Sequence, residues 1–185
     1  MDIAQAKRKE NIAEYILYLW QIEDLLRALQ FSPEAIWSQL VAPRAADSER
    51  KQTIFLWYMD IVNLLREEGK EQIGHLDHTL HLIADLQNLH LQLMALPVGE
   101  RYRQLYSRLA GEIGHLRKFA GSADASEIEL CFRALYGAML CRIKNRGESS
   151  QAVEDVVELV SPVVAELARL YRSTERGETD LFGEA

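Results

Sequence analysis

The residues best suited to chemistry lie in the stretch GHLDHTLH (74–81), which places three histidines within seven residues. Histidine is the commonest metal ligand and titrates near neutral pH. If the stretch is helical, its histidines share one side of a helix with Asp85, because residues three and four apart fall on the same face. His75 and His78 are therefore candidate ligands of a divalent transition metal in a metal-dependent helical-bundle enzyme. Asp85 or Glu71 would supply the carboxylate.

The same histidines have a second interpretation that needs no ion. His75 and His81 lie six residues apart, too far around a helix for one ion to take all three histidines easily, and no HExxH motif is present. The face they share becomes apolar in the following turns, so the histidines would form hydrogen bonds where an apolar face meets solvent. A Glu-x-x-His pair, Glu112 and His115, occurs once, whereas di-iron bundles use it twice. We therefore expect no cofactor and no catalytic residue.

Glu23 is a further candidate, as a buried polar residue. It falls near the centre of the apolar stripe of the predicted first helix, where an unpaired carboxylate would be costly to bury. Arg27, one turn later, is a local partner, and Arg142 on the predicted sixth helix is a distant one. A buried ion pair would then join the first and sixth helices. The alternative is an exposed Glu23 at the edge of the stripe.

The elements that carry these residues are predicted to be helices throughout. Apolar residues recur at helical spacing along almost the whole chain, and no strand or hairpin pattern appears. The first helix is expected over about 3–30, the second over 33–41, the third from 48 to Gly69, the fourth from the histidines to Pro97, the fifth over 98–119, the sixth over 126–145 and the seventh from near 148. The sixth is apolar nearly all round, which predicts a central helix.

The fold class is therefore an all-α, single-domain helical bundle of about seven helices. With 185 residues and 48% apolar residues the chain is large enough for one core. We expect residues 1–175 to form this bundle domain and residues 176–185 to form a frayed tail.

Charge and composition exclude several classes of function. The net charge of −7 argues against a nucleic-acid surface. No window approaches the roughly 18 to 20 apolar residues of a membrane span, and the first 20 residues do not read as a signal peptide. Cys131 and Cys141 lie ten residues apart on one predicted helix, too far to pair, which is typical of reduced thiols. We expect a cytoplasmic protein that binds neither nucleic acid nor membrane.

A patch of small residues indicates a protein partner. Ser107, Gly111 and Gly114 lie on the polar side of the predicted fifth helix. Glycine at an exposed helical position lowers the stability of the helix, and no packing within the predicted helix explains it. Close packing of another helix would explain them, and that helix could belong to the same chain or to a second copy. We therefore expect a non-enzymatic protein that acts through protein or small-ligand interaction, as a homodimer or by binding another protein. An adaptor that docks through Tyr and Trp residues is a further alternative.

Three segments of the chain resemble a bacterial family of domains of unknown function. They are KRKENIAEYILYLWQIEDLLRA, the GHL that precedes DLQNLHLQL, and EIELCFRALYGAMLCRI, and the resemblance covers essentially the whole chain. It implies a single all-helical domain of cytoplasmic type, and it brings no activity, cofactor or catalytic residue. GHL, with His75, belongs to the family pattern, whereas His78 and His81 are not fixed in it, which weakens the metal hypothesis.

Overall fold

The structure is a computed structural model that describes residues 2–44, 47–120 and 124–178. Within these ranges the chain forms nine α-helices and no β-strand, so the all-α prediction with about seven helices is confirmed. The helices are α1 (Asp2–Glu10), α2 (Ile12–Ala28), α3 (Pro33–Ile36), α4 (Ser48–Glu67), α5 (Asp77–Ala95), α6 (Glu100–Ala110), α7 (Ile113–Ala120), α8 (Glu127–Lys144) and α9 (Gln151–Glu175). None of these described helices has the length and apolar character needed to cross a membrane.

Contacts divide the chain into two compact units. The N-terminal unit comprises the chain up to Lys9 and residues Glu14–His81. The C-terminal unit comprises Glu10–Ala13 and the chain from Leu82 onward. Residues 179–185 of the predicted tail lie outside the described residues.

The starts of three helices follow from capping residues visible in the sequence. Ser32 precedes Pro33 and accepts a hydrogen bond from the Ala35 N–H, and Asp47 accepts from two N–H groups of the first turn of α4. The Ser126 side chain accepts a hydrogen bond from one N–H group in the first turn of α8. Each side-chain oxygen satisfies donors that have no partner inside the helix, so these predicted starts are confirmed.

Two predicted helices are interrupted in the structure, and a third begins later than predicted. The first predicted helix is interrupted at Asn11, whose side chain accepts a hydrogen bond from the Ala13 N–H and so begins α2. The fifth is interrupted at Gly111, which ends α6. The fourth begins only at Asp77, so His75 precedes α5 and does not share a helix face with the later histidines. An apolar period continues on both sides of such short breaks, and periodicity alone therefore misses them.

The two units each have an apolar core. In the N-terminal unit, α2, α3 and α4 contribute to one buried cluster together with the π-helical turn Trp37–Val41. In the C-terminal unit, α8 packs against both α7 and α9, and its residues from Ile128 to Ala138 supply most of its buried surface. Its last turn lies nearer the surface, with Ile143 57% exposed. The helix α9 continues through Pro162.

Gly99 allows the end of α5 to turn sharply into α6. A Cβ on this residue would lie 1.9 Å from the carbonyl oxygen of Leu93 and 2.8 Å from its Cα. Arg103 Nη1 donates a hydrogen bond to that same carbonyl oxygen at 2.7 Å, so Gly99 and the Arg103 side chain both lie against the end of α5. Only glycine fits at this position, because the obstructing atoms are backbone.

We predict that Gly99→Ala lowers the free energy of unfolding by about 2–3 kcal/mol, because backbone atoms must move to admit the methyl group. Urea denaturation measures the loss. Gly114→Ala in α7 is the matched control, since an added Cβ there meets no described atom within 4 Å. The control should be neutral or stabilise by up to about 1 kcal/mol. Equal losses in both variants would contradict the steric explanation.

Candidate functional site

A buried carboxylate meets the GHL segment in the N-terminal unit. Glu23 on α2 is 0% exposed, and its Oε2 atom lies 2.8 Å from His75 Nδ1. Its Oε1 atom accepts the Leu76 N–H at 3.3 Å. Arg27 Nη2 lies 4.0 Å from Oε2, at the limit of an ion pair. We use the name Glu23–His75 cluster for these groups and the side chains that hold them: Trp20, Glu23, Arg27, His75 and Thr79.

The imidazole of His75 is fixed by an aromatic neighbour as well as by the carboxylate. It stacks on the indole of Trp20 with ring centroids 3.8 Å apart and planes 8° from parallel. Trp20 Nε1 donates to Thr79 Oγ1 at 3.1 Å, and Thr79 Oγ1 donates to the Leu76 carbonyl oxygen at 2.8 Å. A carboxylate on Nδ1 sets the tautomer and orientation of a histidine, as it does in metal sites and in general bases. The His75 side chain is 20% exposed.

Arg27 holds the non-helical segment that precedes α5. Its Nε and Nη2 atoms donate to the Lys70 carbonyl oxygen at 3.1 and 2.9 Å, and Nη2 also donates to the Gly74 carbonyl oxygen at 2.5 Å. Lys70 Nζ in turn donates to the His75 carbonyl oxygen at 3.1 Å. Carbonyls outside regular structure need such donors. The main role of Arg27 is therefore to hold this segment, and its contact with Glu23 is secondary.

The partner described for Arg142 within the C-terminal unit is Glu154. Arg142 Nη2 lies 2.7 Å from Glu154 Oε2, and the two side chains are 40% and 48% exposed. The apolar arc of the predicted sixth helix placed Arg142 inside, but the last turn of α8 is at the surface. Exposed pairs of this kind contribute about 0–1 kcal/mol.

The other candidate metal ligands contact neighbouring side chains or lie at the surface. His78 Nε2 lies 3.2 Å from the Tyr15 hydroxyl oxygen, and burial together with the charge of Arg8 lowers the pKa of His78. Glu71 is half exposed and lies 4.0 Å from Arg66 Nε. Asp85 belongs to the C-terminal unit and is exposed. In the part of the chain that the structure describes, no group of three His, Cys, Asp or Glu side chains is arranged to hold a metal ion.

The Glu-x-x-His pair of the sequence is a surface contact. His115 Nδ1 lies 2.6 Å from Glu112 Oε2, and both side chains are exposed. The small-residue patch beside it also lies at the surface, and a Cβ added to Gly111 or Gly114 would meet no described atom within 4 Å.

A second polar cluster lies in the C-terminal unit around the buried His90, and it was not predicted from the sequence. Its members are His90, Tyr102, Tyr106, Glu127 and Cys131, and we call it the His90 cluster. His90 Nδ1 lies 2.7 Å from the Tyr102 hydroxyl oxygen, and His90 Nε2 lies 3.3 Å from Glu127 Oε2. The Tyr106 hydroxyl donates to the same carboxylate oxygen. His90 interrupts an apolar stretch, as Glu23 does, and that interruption was the available signal.

Burial disfavours charge on the histidine, the two tyrosines and the cysteine of the His90 cluster. It lowers the pKa of His90, although the Glu127 carboxylate opposes the shift, and it raises the pKa values of Tyr102 and Tyr106. Burial and the Glu127 charge raise the pKa of the Cys131 thiol to about 12. A neutral His90 with its proton on Nε2 donates to Glu127 and accepts from Tyr102, which satisfies all three groups. The protonated thiol of Cys131 is a poor nucleophile.

One comparison with known proteins identifies the family. The sequence model of a family described as Domain of unknown function (DUF4924) matches residues 1–178 of the 185-residue chain. The chain therefore belongs to this family, which confirms the predicted resemblance to a family of domains of unknown function. Neither a curated protein nor a solved structure is significantly similar to the chain.

We predict that Glu23→Ala lowers the free energy of unfolding by about 3 kcal/mol, because it leaves His75 and the Leu76 N–H without their acceptor. Glu23→Gln should lose less, since the amide oxygen still accepts one hydrogen bond. Chemical denaturation of the purified variants measures both values. The control is Glu14→Ala, which removes a carboxylate that is 57% exposed and should change stability by no more than about 0.5 kcal/mol. A Glu23→Ala loss as small as that of the control would show that the cluster does not stabilise the fold.

We predict that stability falls as the pH drops below about 6.5, the value for an unperturbed histidine. His90 has a lowered pKa when folded, so the unfolded state binds more protons in this range and is favoured by acid. The lowered pKa of His78 acts in the same direction. Thermal unfolding midpoints between about pH 7.5 and 5.5 measure the dependence.

The matched variants for this titration are His90→Gln and His81→Gln. His90→Gln removes the buried titrating group, so its midpoint should depend less on pH than that of the wild type even if the variant is less stable. His81 is exposed, and His81→Gln should keep the wild-type dependence. An unchanged pH dependence in His90→Gln would refute the assignment to His90.

Proposed function

We propose that this member of the DUF4924 family acts through association with protein, as a homodimer, and carries out no chemistry of its own. The groups that the sequence offered for chemistry are engaged in holding the chain. Both oxygens of Glu23 accept hydrogen bonds from the GHL segment, and His78 contacts the Tyr15 hydroxyl. The observation that carries the proposal lies elsewhere, on an uncharged surface of the C-terminal unit.

This surface follows the last turns of α5 and the turn after it, and we call it the α5 strip. Leu91 is 57% exposed, Met94 38% and Val98 41%, and Ala95 and Pro97 are also exposed. Residues 86–99 include no Asp, Glu, Lys or Arg, although charged residues make up 26% of the chain. Leu91, Met94 and Ala95 lie on one face, because they are three and four residues apart on a helix.

The composition of the α5 strip is typical of an interface core, where charged residues are depleted and Met is enriched. Single exposed apolar residues are ordinary at protein surfaces, but a charge-free run with several of them is not. Burying Leu and Met side chains removes apolar area from water and favours association.

A second copy of the chain is the partner that the charges favour. Two copies with a net charge of −7 each repel one another at long range. The residues of the strip include no Asp or Glu, so two copies can touch there without bringing acidic side chains of the strip together, which would cost affinity elsewhere on the surface. A helical strip can also meet its own copy across a two-fold axis, the commonest symmetry of soluble oligomers.

We also propose a cytoplasmic location. The described part of the chain holds both cysteines as free thiols, with Cys131 buried and Cys141 half buried. Unpaired thiols are usual in reducing compartments. The alternative of a metal-dependent enzyme using His75 and His78 stays a prediction, and metal analysis of the purified protein tests it.

We predict that Leu91→Lys weakens self-association at least tenfold, because a lysine would have to be desolvated in the interface. Analytical ultracentrifugation at micromolar concentrations measures the dissociation constant of the wild type and the variant. Ile143→Lys is the matched control, since Ile143 on α8 is also 57% exposed but has Arg142 and Lys144 as its chain neighbours. We expect this control to associate like the wild type. A monomeric wild type, or equal weakening by both lysines, would refute the proposed dimer.

A further inference from the structure

We propose that a groove along the end of α9 binds a phosphate group, a function separate from self-association. The groove has a volume of about 330 Å³ and lies within the C-terminal unit. Three arginines line it, Arg169, Arg172 and Arg176. We call it the arginine groove. Its volume lies at the lower end of the roughly 300–1,000 Å³ that is usual for small-molecule sites.

Helical spacing places these three arginines on the same side of the chain. They lie three and four residues apart, so they share one face of the last turns of α9. Ala165 and Ala168 lie on the same face one turn earlier and also line the groove. Their short side chains leave room beside the helix, which longer residues would fill.

The three arginines are held to different degrees. Arg169 is fixed by Glu166, with its Nε atom 2.9 Å from Oε2 and its Nη2 atom 2.8 Å from Oε1. Arg172 Nη1 donates to the Glu10 carbonyl oxygen at 3.2 Å. Arg176 Nη1 lies 3.8 Å from Glu178 Oε1, which is too long for a hydrogen bond. A guanidinium has five N–H donors, so Arg172 and Arg176 retain donors beyond these contacts.

The chemistry of the lining favours a phosphate group over a carboxylate. One guanidinium satisfies a carboxylate through two parallel hydrogen bonds, whereas a phosphate dianion has more oxygens and can accept from several guanidiniums. Ser173 and Asn11 add polar side chains to the lining. Glu10 and Glu178 line the groove as well, and Glu178 is 60% exposed, so a phosphate can displace it from Arg176.

A purely structural role gives a different expectation for the same arginines. Basic residues near the end of a helix interact favourably with its last carbonyls, and this alone would stabilise α9. In that case Arg176→Gln would lower stability slightly and inorganic phosphate would not bind. Binding of phosphate therefore separates the two roles.

The test is isothermal titration calorimetry of the full chain with inorganic phosphate at constant ionic strength. We expect saturable binding to the wild type with one phosphate per chain, and at least about tenfold weaker binding to Arg176→Gln. Arg133→Gln is the matched control, because Arg133 on α8 is an exposed arginine paired with Glu129. It should bind phosphate like the wild type. Leu91→Lys should also bind normally, whatever its association state.

Three results would overturn the proposal. The first is no saturable binding by the wild type at millimolar phosphate, and the second is equal weakening by Arg176→Gln and Arg133→Gln, which would indicate a diffuse effect of net charge. The third is equally tight binding of acetate, which would remove the preference for phosphate. Thermal unfolding of Arg176→Gln without ligand shows that the variant is folded before its binding is compared.

Discussion

The burial of one carboxylate, that of Glu23, determines how the N-terminal unit is built. An ionised group removed from water costs several kcal/mol unless hydrogen bonds replace its hydration. The chain meets this requirement with His75 Nδ1 and the Leu76 N–H, and both come from the segment before α5. The first N–H groups of a helix have no acceptor inside it, so Glu23 supplies an acceptor to the chain directly before α5. Gly74, with φ at +94°, supplies the backbone conformation that the turn requires.

In the C-terminal unit the buried polar group at the centre of the cluster is a histidine, His90. There the carboxylate of Glu127 accepts from Tyr106 and lies beside His90, while Tyr102 completes the hydrogen bonds of the imidazole. Described side chains include no buried nitrogen or oxygen without a hydrogen-bond partner. The two histidines at the centres of these clusters and their carboxylates therefore have hydrogen-bond or ion-pair partners within their own units.

Local signals made much of the fold predictable from the sequence. Pairings between residues far apart in the chain could not be predicted in this way. The caps Ser32, Asp47 and Ser126 act within three residues, and helical periodicity identified the class. The same periodicity indicated a candidate buried Glu23, but its partner His75 lies 52 residues away and outside any helix. Arg142 was chosen instead because it falls on an apolar arc, and an arc does not reveal that the last turn of its helix is exposed. The break at Asn11 was missed because the apolar repeat resumes at once.

Hydrogen bonds within each unit satisfy the buried polar groups, whereas some surface features have no evident role in packing. The α5 strip is one of them, because α5 already buries Leu86, Leu89 and Leu93 on its inner side and gains nothing in the monomer from exposed Leu91 and Met94. Charged side chains at those positions would be tolerated by a helix and would improve solubility, yet residues 86–99 have none. A surface kept apolar at a cost in solubility is explained most directly by a partner that covers it. The exposed apolar residues of α5 are therefore the structural basis on which we propose association at this strip.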